Sequence, residues 1–258
     1  MNSAAIAQLC GAGLATQLAI EVVAETGSTN ADLLARAAQL PCNTVLIAER
    51  QTAGRGRAGR SWLSADGGSL TFSLAWKFQR GLQALAGLPL AVGVALADTL
   101  AALDVKVQLK WPNDLLKDGA KLAGVLIETQ GAREGAVWAV IGVGLNLQLP
   151  DELEARIDRP AASAPWMAAM DRDALMAKLL TGLTDMLGQF EQSGFVPFAA
   201  RWNRLHAYQG SAVSIIDQGQ TIDQGIAAGV DDSGALLLDR ASGRVAIMAG
   251  DVSLRPQG

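Results

Sequence analysis

Residues 50–60 read Arg-Gln-Thr-Ala-Gly-Arg-Gly-Arg-Ala-Gly-Arg, and the segments on either side of them decide the fold. Gly54, Gly56 and Gly59 satisfy the G-x-G-x-x-G spacing of a dinucleotide-binding turn. That turn works between a strand and a helix that opens directly behind it, because the helix N-terminus carries the pyrophosphate. A strand does precede the run, at Thr44–Ala48 (Thr-Val-Leu-Ile-Ala). Behind it come Asp66-Gly67-Gly68-Ser69 and then Leu-Thr-Phe-Ser-Leu-Ala-Trp, a turn followed by a second strand. The doubly wound nucleotide fold, and with it a nicotinamide-dependent oxidoreductase, is therefore disfavoured. No Walker A sequence occurs either.

The run itself is cationic inside a chain of formal net charge -4, and no acid falls between Gln51 and Ala65. Glycines let backbone approach an anion closely, and guanidinium groups match carboxylate and phosphate oxygens in pairs. The expectation is a small, highly charged anionic ligand. The plainer alternative is a flexible basic surface loop.

Composition narrows the chemistry. With 258 residues, half of them hydrophobic, the chain suffices for one large domain, or a large one with a small one. A nucleic-acid-binding module would carry positive charge over a whole face, with aromatics interleaved, whereas here the charge is local and the pI is near 5.1. Cys10 and Cys42 are isolated, so no disulfide framework or zinc knuckle is indicated. The first basic residue is Arg36, so no charged leader segment is read, and the apolar run 82–103 is broken by Pro89 and Asp98. A cytoplasmic protein with no membrane and no DNA partner is expected. His206 is the single histidine, which sets aside Ser-His-Asp and Cys-His catalysis and His-rich metal sites. It reads as structural, near a helix end.

Working outward, Ser28-Thr29-Asn30 caps a helix that runs to about Gln39. Strands follow at 44–48 and 69–77, then one long apolar helix over about 83–103. Strands at 105–111, 121–128 and 136–147 complete the pattern, with a turn at Pro112-Asn113-Asp114. Residues 151–165 form a polar connector, 172–192 an amphipathic helix and 198–206 a shorter one. After Gly210 short β runs at 213–216, 222–230, 235–238 and 244–248 alternate with Gly, Asp and Ser, as in a small β-barrel. The expected division is residues 1–207 and residues 208–258.

Four further segments stand with the arginine loop: Ser28-Thr29-Asn30, Lys110-Trp111-Pro112-Asn113-Asp114, Lys121–Glu128 (Lys-Leu-Ala-Gly-Val-Leu-Ile-Glu) and Gly142-Val143-Gly144-Leu145-Asn146. Together, and in this order, they make the chain resemble the catalytic and C-terminal regions of bacterial biotin protein ligases, over roughly residues 26–255. The resemblance implies an α+β catalytic domain with a mixed sheet, of the kind shared with class II synthetases, and a small C-terminal SH3-like β-barrel. It implies ATP-dependent activation of biotin to biotinyl-5′-AMP, with Mg²⁺, and transfer to a lysine of the biotin carboxyl carrier protein of acetyl-CoA carboxylase. A monomer or a homodimer is expected. The biotin carboxylate is ionised at neutral pH, so the first step needs fixed cations rather than a histidine base.

The same resemblance implies residue roles. Arg57 and Lys121 are the catalytic expectations, in contact with the reacting carboxylate and phosphate. Lys121 is a mobile point charge that follows both through the transition state. Biotin falls to Ser28, Thr29, Asn30, Gln51, Gly54, Arg55, Arg57, Lys121, Gly124, Gly142 and Gly144. The hydroxyl and amide groups suit a ureido ring, and the three strand glycines admit a flat ligand. The nucleotide falls to Arg57, Arg60, Trp62, Asp114, Asn146 and Arg255, with Trp62 stacked on adenine and Asp114 turned to Mg²⁺. Asp251 and Arg255 belong to the family's closing strand, and Arg172 is a weaker candidate.

Helix capping at Ser28 and Thr29, close sheet packing at the glycines and an Asx-turn at Asp114 remain competing explanations. The chain has no room for the winged-helix DNA-binding domain with which many bacterial members begin, so no repressor function is expected. The competing activity is that of a lipoate or octanoate protein ligase or transferase, for which an apolar tunnel would speak.

Overall fold

Alternation along the strands builds two faces of unlike chemistry. In this computed structural model, residues 1–64, 67–132, 135–150, 160–250 and 252–257 are described. Strands β1 (Leu18–Thr26), β2 (Asn43–Gln51), β3 (Ser69–Phe78), β4 (Gln108–Lys110), β5 (Asp114–Lys117), β6 (Ala120–Gly131) and β7 (Val137–Asn146) form one mixed sheet. Its order is β1-β2-β3-β7-β6-β5-β4. β1 and β2 are parallel, joined over the Thr29–Arg36 helix, and the remaining neighbours are antiparallel.

Successive strand side chains point to opposite faces. Leu70, Phe72 and Leu74 of β3, with Ile141, Val143 and Leu145 of β7, enter the main core. Helices Ser3–Cys10, Leu88–Ala101, Arg172–Ser193 and Val196–Leu205 contribute Ile6, Leu96, Leu183 and Trp202 to that same core. On the other face, Leu33 and Ala37 pack on Leu46, Ala75, Trp138 and Val140. Beyond that small cluster the second face changes character: Ser73 pairs with Gly142, Thr71 with Gly144 and Ser69 with Asn146. This ladder of small and polar residues leaves room above the sheet.

Several elements depart from the sequence reading. The long apolar helix is two pieces, a 3-10 turn at Leu82–Leu85 and the helix Leu88–Ala101. Gly87, at φ 76 in the left-handed region, separates them, with Pro89 in the first turn. Residues 82–101 have the length and apolarity of a membrane span, but ten residues of the helix Leu88–Ala101 are buried inside the protein. The strand expected over 105–111 shortens to β4, and β5 follows the Pro112 turn directly. β1 and the helix Ser3–Cys10, which the sequence reading leaves unassigned, pack against the sheet and the Arg172–Ser193 helix. Most of the expected connector, residues 151–159, lies outside the described residues.

Strands β8 (Ala212–Asp217), β9 (Gln220–Val230), β10 (Leu236–Arg240), β11 (Gly243–Ile247) and β12 (Ser253–Pro256) make a second, wholly antiparallel sheet, ordered β11-β10-β9-β8-β12. The four expected β runs are here, with β12 as the closing strand; Asp251 lies outside the described residues. Val213, Ile215, Leu236 and Leu254 share one buried cluster with Leu109 and Trp111, so the hydrophobic core runs through both sheets. Trp111 Nε1 donates to Gly234 O at 3.2 Å. Asn203 pairs twice with Val230, at 2.7 and 3.1 Å.

Candidate active site

The arginine loop is a short hairpin. Trp62 N donates to Gly54 O at 2.8 Å, Gly56 N to Arg60 O at 2.7 Å and Arg60 N to Arg57 O at 3.2 Å. Ala58 and Gly59 carry positive φ at its tip. A Cβ on Gly54 would stand 2.5 Å from Trp62 O, so glycine is required for the two arms to close. Gly54 therefore shapes the loop, and it is absent from the walls of the cavities below. Among the described residues, the next element after the hairpin is β3, as the sequence predicts, and not a helix.

Two cavities adjoin this hairpin. The narrower, of about 60 Å³, lies over the small and polar ladder. Ser28, Thr29, Asn30 and Gln51 line one end. Ser28 also caps its helix, accepting from Ala31 N at 3.4 Å, so capping and site placement coexist. Gln51 Oε1 accepts from Thr29 N at 2.8 Å and Thr29 Oγ1 at 3.1 Å, and Thr29 Oγ1 also meets Ser73 Oγ at 2.8 Å. Ser73, fully buried, is a wall residue that the sequence reading missed. Its signal was present, since hydroxyls recur every second residue at 69, 71 and 73 with apolar residues between them.

The three strand glycines do not face empty space. A Cβ on Gly142 would lie 2.7 Å from Asn30 Oδ1, one on Gly124 would lie 2.8 Å from Lys121 Nζ, and one on Gly144 would lie 2.3 Å from the Trp62 ring. Side chains of the site itself lie against these positions. Trp62 is thus laid on the floor of the narrow cavity, with Lys121 Nζ 5.7 Å from its ring centroid.

The larger cavity, of about 390 Å³, opens between the hairpin, the Lys110–Asp114 turn and β12. Its walls include Arg57, Arg60, Trp62, Asp114, Asn146 and Arg255, all six residues expected at the nucleotide. Gly56, Arg57, Trp62, Asn113 and Lys121 line both cavities, so the two meet there. Asn113, read from the sequence as part of the Lys110–Asp114 motif and its turn but given no role of its own, is a second such residue, after Ser73. It accepts from Arg57 at 3.2 Å and donates to Val125 O at 2.7 Å. Arg57 also donates to Gly250 O, which brings the segment before β12 to the junction.

Lys121 is tied on every side. Its Nζ lies 2.5 Å from Asp114 Oδ1, and Lys110 Nζ lies 3.9 Å from Asp114 Oδ2. Its backbone bonds to Pro160 O and Ala162 N, and Asn146 Nδ2 donates to the carbonyls of Lys121 and Ala162 at 3.4 and 3.2 Å. Asn146 thus holds the strand that carries Lys121. Among the described residues no group of three or more His, Cys, Asp or Glu is placed to hold a metal. Asp114 is the one described carboxylate in the wall of the larger cavity.

Arg172 and His206 lie elsewhere. Arg172 donates to Gly67 O and Ser69 O at 2.8 and 3.0 Å and holds the start of β3 outside both cavities. His206 stacks on Trp202 at 4.7 Å, and burial lowers its pKa to about 4. It is a neutral core group, as the sequence suggested.

Comparison with known proteins follows this geometry. The model of the Biotin/lipoate A/B protein ligase family matches residues 20–146, and that of the Biotin protein ligase C terminal domain matches residues 209–255. The chain is 39% identical over 253 residues to the biotin--[acetyl-CoA-carboxylase] ligase of Mycobacterium tuberculosis, covering 95% of this chain and 92% of that protein. It is 37% identical over 243 residues to the bifunctional ligase/repressor BirA of Escherichia coli, covering 92% of this chain and 74% of that protein. A structure of the biotin protein ligase of Aquifex aeolicus in complex with biotin and ATP superposes with a TM-score of 0.78 at 28% identity, covering 93% of this chain and 99% of that one.

Proposed function

The chain belongs to the biotin/lipoate A/B protein ligase family, and we propose that its two joined cavities seat biotin and ATP end to end. It activates biotin with ATP, giving biotinyl-5′-AMP and pyrophosphate, and transfers the biotinyl group to a lysine of the biotin carboxyl carrier protein. Mg²⁺ accompanies ATP as its counterion.

The observation that carries the residue assignment is the shared wall: Gly56, Arg57, Trp62, Asn113 and Lys121 line both cavities. In the first step a biotin carboxylate oxygen attacks the α-phosphorus and the bond to pyrophosphate breaks. Both partners are anions, so the group needed at their meeting point is a cation that is already in place. Lys121 supplies it, with its flexible stem exchanging Asp114 for phosphate oxygens, and Arg57 supplies a planar second one. In the second step the carrier's ε-amine attacks the acyl carbon, an amide forms and AMP leaves.

In this reading the ureido ring lies among Ser28, Thr29, Asn30, Gln51 and Ser73, with Arg55 at the mouth and Gly124, Gly142 and Gly144 beneath. Gly54 acts through the hairpin. ATP lies among Arg57, Arg60, Trp62, Asp114, Asn146 and Arg255, and Asp114 is the carboxylate the pocket offers to Mg²⁺. Because the narrow cavity holds only about 60 Å³, the Trp62 indole has to shift as biotin enters. Residues 1–207 form the biotin- and ATP-binding part and residues 208–258 the C-terminal module, in a monomer or a homodimer. The cluster of Ser28, Thr29, Asn30, Gln51 and Ser73 at one end of the narrow cavity suits a hydrogen-bonding head group rather than the wholly apolar tunnel that lipoate would need. Biotin-dependent exchange of labelled pyrophosphate into ATP, with lipoate as the control, tests the reading. Exchange supported by lipoate and not by biotin would overturn it.

A further inference from the structure

Glu128 ends the Lys121–Glu128 segment on β6, and neither cavity includes it in its wall. Its carboxylate nevertheless controls two residues at the biotin end. One oxygen accepts from Asn30 Nδ2 at 2.6 Å, and the other accepts from Arg55 at 2.8 Å. Asn30 is 3% exposed, and its Oδ1 stands over Gly142 with no hydrogen-bond partner. An amide has a donor end and an acceptor end, and a carboxylate accepts only. Glu128 therefore fixes which way the Asn30 amide faces: the NH₂ is held on the carboxylate, and the oxygen is left against Gly142 in the wall of the narrow cavity.

A buried acceptor without a partner is costly, of the order of 1–3 kcal/mol. Among the described residues, the atoms in this condition that belong to the narrow cavity are Asn30 Oδ1 and Trp62 Nε1. Gln51 Oε1 is already taken twice by Thr29. The acceptor waiting for a ligand N–H is thus Asn30 Oδ1.

We propose that Glu128 is a positioning residue that makes Asn30 an acceptor and so sets selectivity for a ligand head group that donates N–H. This rests on the placement of Asn30 in the biotin site. The second arm of Glu128, on Arg55, ties the arginine hairpin to β6 and closes the site at the same end. A site built to accept an N–H rejects an isostere that lacks it more strongly than an apolar pocket rejects a change of size.

The test compares biotin with its two carbamate analogues, in each of which oxygen replaces one ureido N–H. Pyrophosphate exchange is measured for wild type, Glu128→Gln and Asn30→Ala. Wild type is expected to discriminate against one of the analogues by at least about tenfold in kcat/KM. In Glu128→Gln the side chain keeps its shape but no longer forces the Asn30 amide, so the biotin KM rises about tenfold while the ATP KM stays within about twofold. The discrimination collapses with it. Each ratio is read on one protein preparation, so partial unfolding cancels. Should Glu128→Gln not fold, Glu128→Asp, which keeps the charge on a shorter stem, is expected to discriminate to an intermediate degree. Equal discrimination in wild type and the Glu128 variant overturns the proposal. A biotin KM unmoved in Asn30→Ala overturns instead the placement of Asn30 in the biotin site.

Discussion

Lys121 Nζ lies 2.5 Å from Asp114 Oδ1, joining a residue expected at the reacting carboxylate to one expected at the metal. The pair sits where the two cavities meet, with both side chains largely buried and Lys110 on the far oxygen of Asp114. Removing one partner of such a pair leaves a buried charge uncompensated. An arriving phosphate would take the place of the carboxylate and leave Lys121 paired throughout. The ion pair thus keeps the cation in position before ATP binds.

Gly144 is where a single methyl group should matter most. Its Cβ would lie 2.3 Å from the Trp62 ring, and β7 itself has no room to retreat. Gly144→Ala is expected to raise the biotin KM by about tenfold or more, the scale of one displaced, well-packed contact. Indole fluorescence should change as Trp62 is pushed off. Wild-type KM and fluorescence would show that Trp62 does not use this surface.

Arg255 on β12 separates nucleotide use from biotin recognition. It lines the larger cavity and is absent from the wall of the narrower one. Arg255→Ala should raise the ATP KM several-fold and leave biotin affinity, measured by calorimetry, unchanged. Unchanged ATP use and carrier biotinylation would reduce β12 to a structural strand.

His206 gives the protein a predictable acid limb. Burial depresses its pKa from 6.5 to about 4, so between those values the unfolded chain binds a proton that the folded one refuses. Stability is therefore fully present above about pH 6.5 and falls as pH drops towards 4, by up to roughly 3 kcal/mol. His206→Gln should flatten the fall of the urea midpoint over that window. An equally steep fall in the variant would place the titration elsewhere.

Much of this fold is written locally. The Ser28 cap, the turn at residues 67–68 ahead of β3 and the run of β segments after Gly210 each carry their own signal, and each lies where it was read. β1 and the helix Ser3–Cys10 were not legible, because the strand is half-buried along most of its length and shows no clean alternation of apolar and polar residues. The break at Gly87 was hidden inside a uniformly apolar stretch, where burial on all sides erases the helical period.

The candidate site divides in the same way. Residues with distinctive chemistry, such as Arg57, Lys121, Trp62 and Asp114, announced themselves. Ser73, Asn113 and Glu128 did not, because their importance comes from neighbours brought across the sheet: Thr29, Arg57 and Asn30. The glycines of β7 were read as ligand surface, whereas Trp62 and Asn30 already lie against them.

The central claim is that adenylate formation takes place at the junction where Lys121 stands. The most direct measurement is biotin-dependent pyrophosphate exchange at saturating biotin and ATP, comparing wild type with Lys121→Ala. The account predicts a loss of ~10²–10³-fold, the scale for removing one preorganised group from a transition state, read on folded protein, in which Lys110 still stands beside Asp114. Exchange near the wild-type rate in a folded Lys121→Ala protein would contradict it.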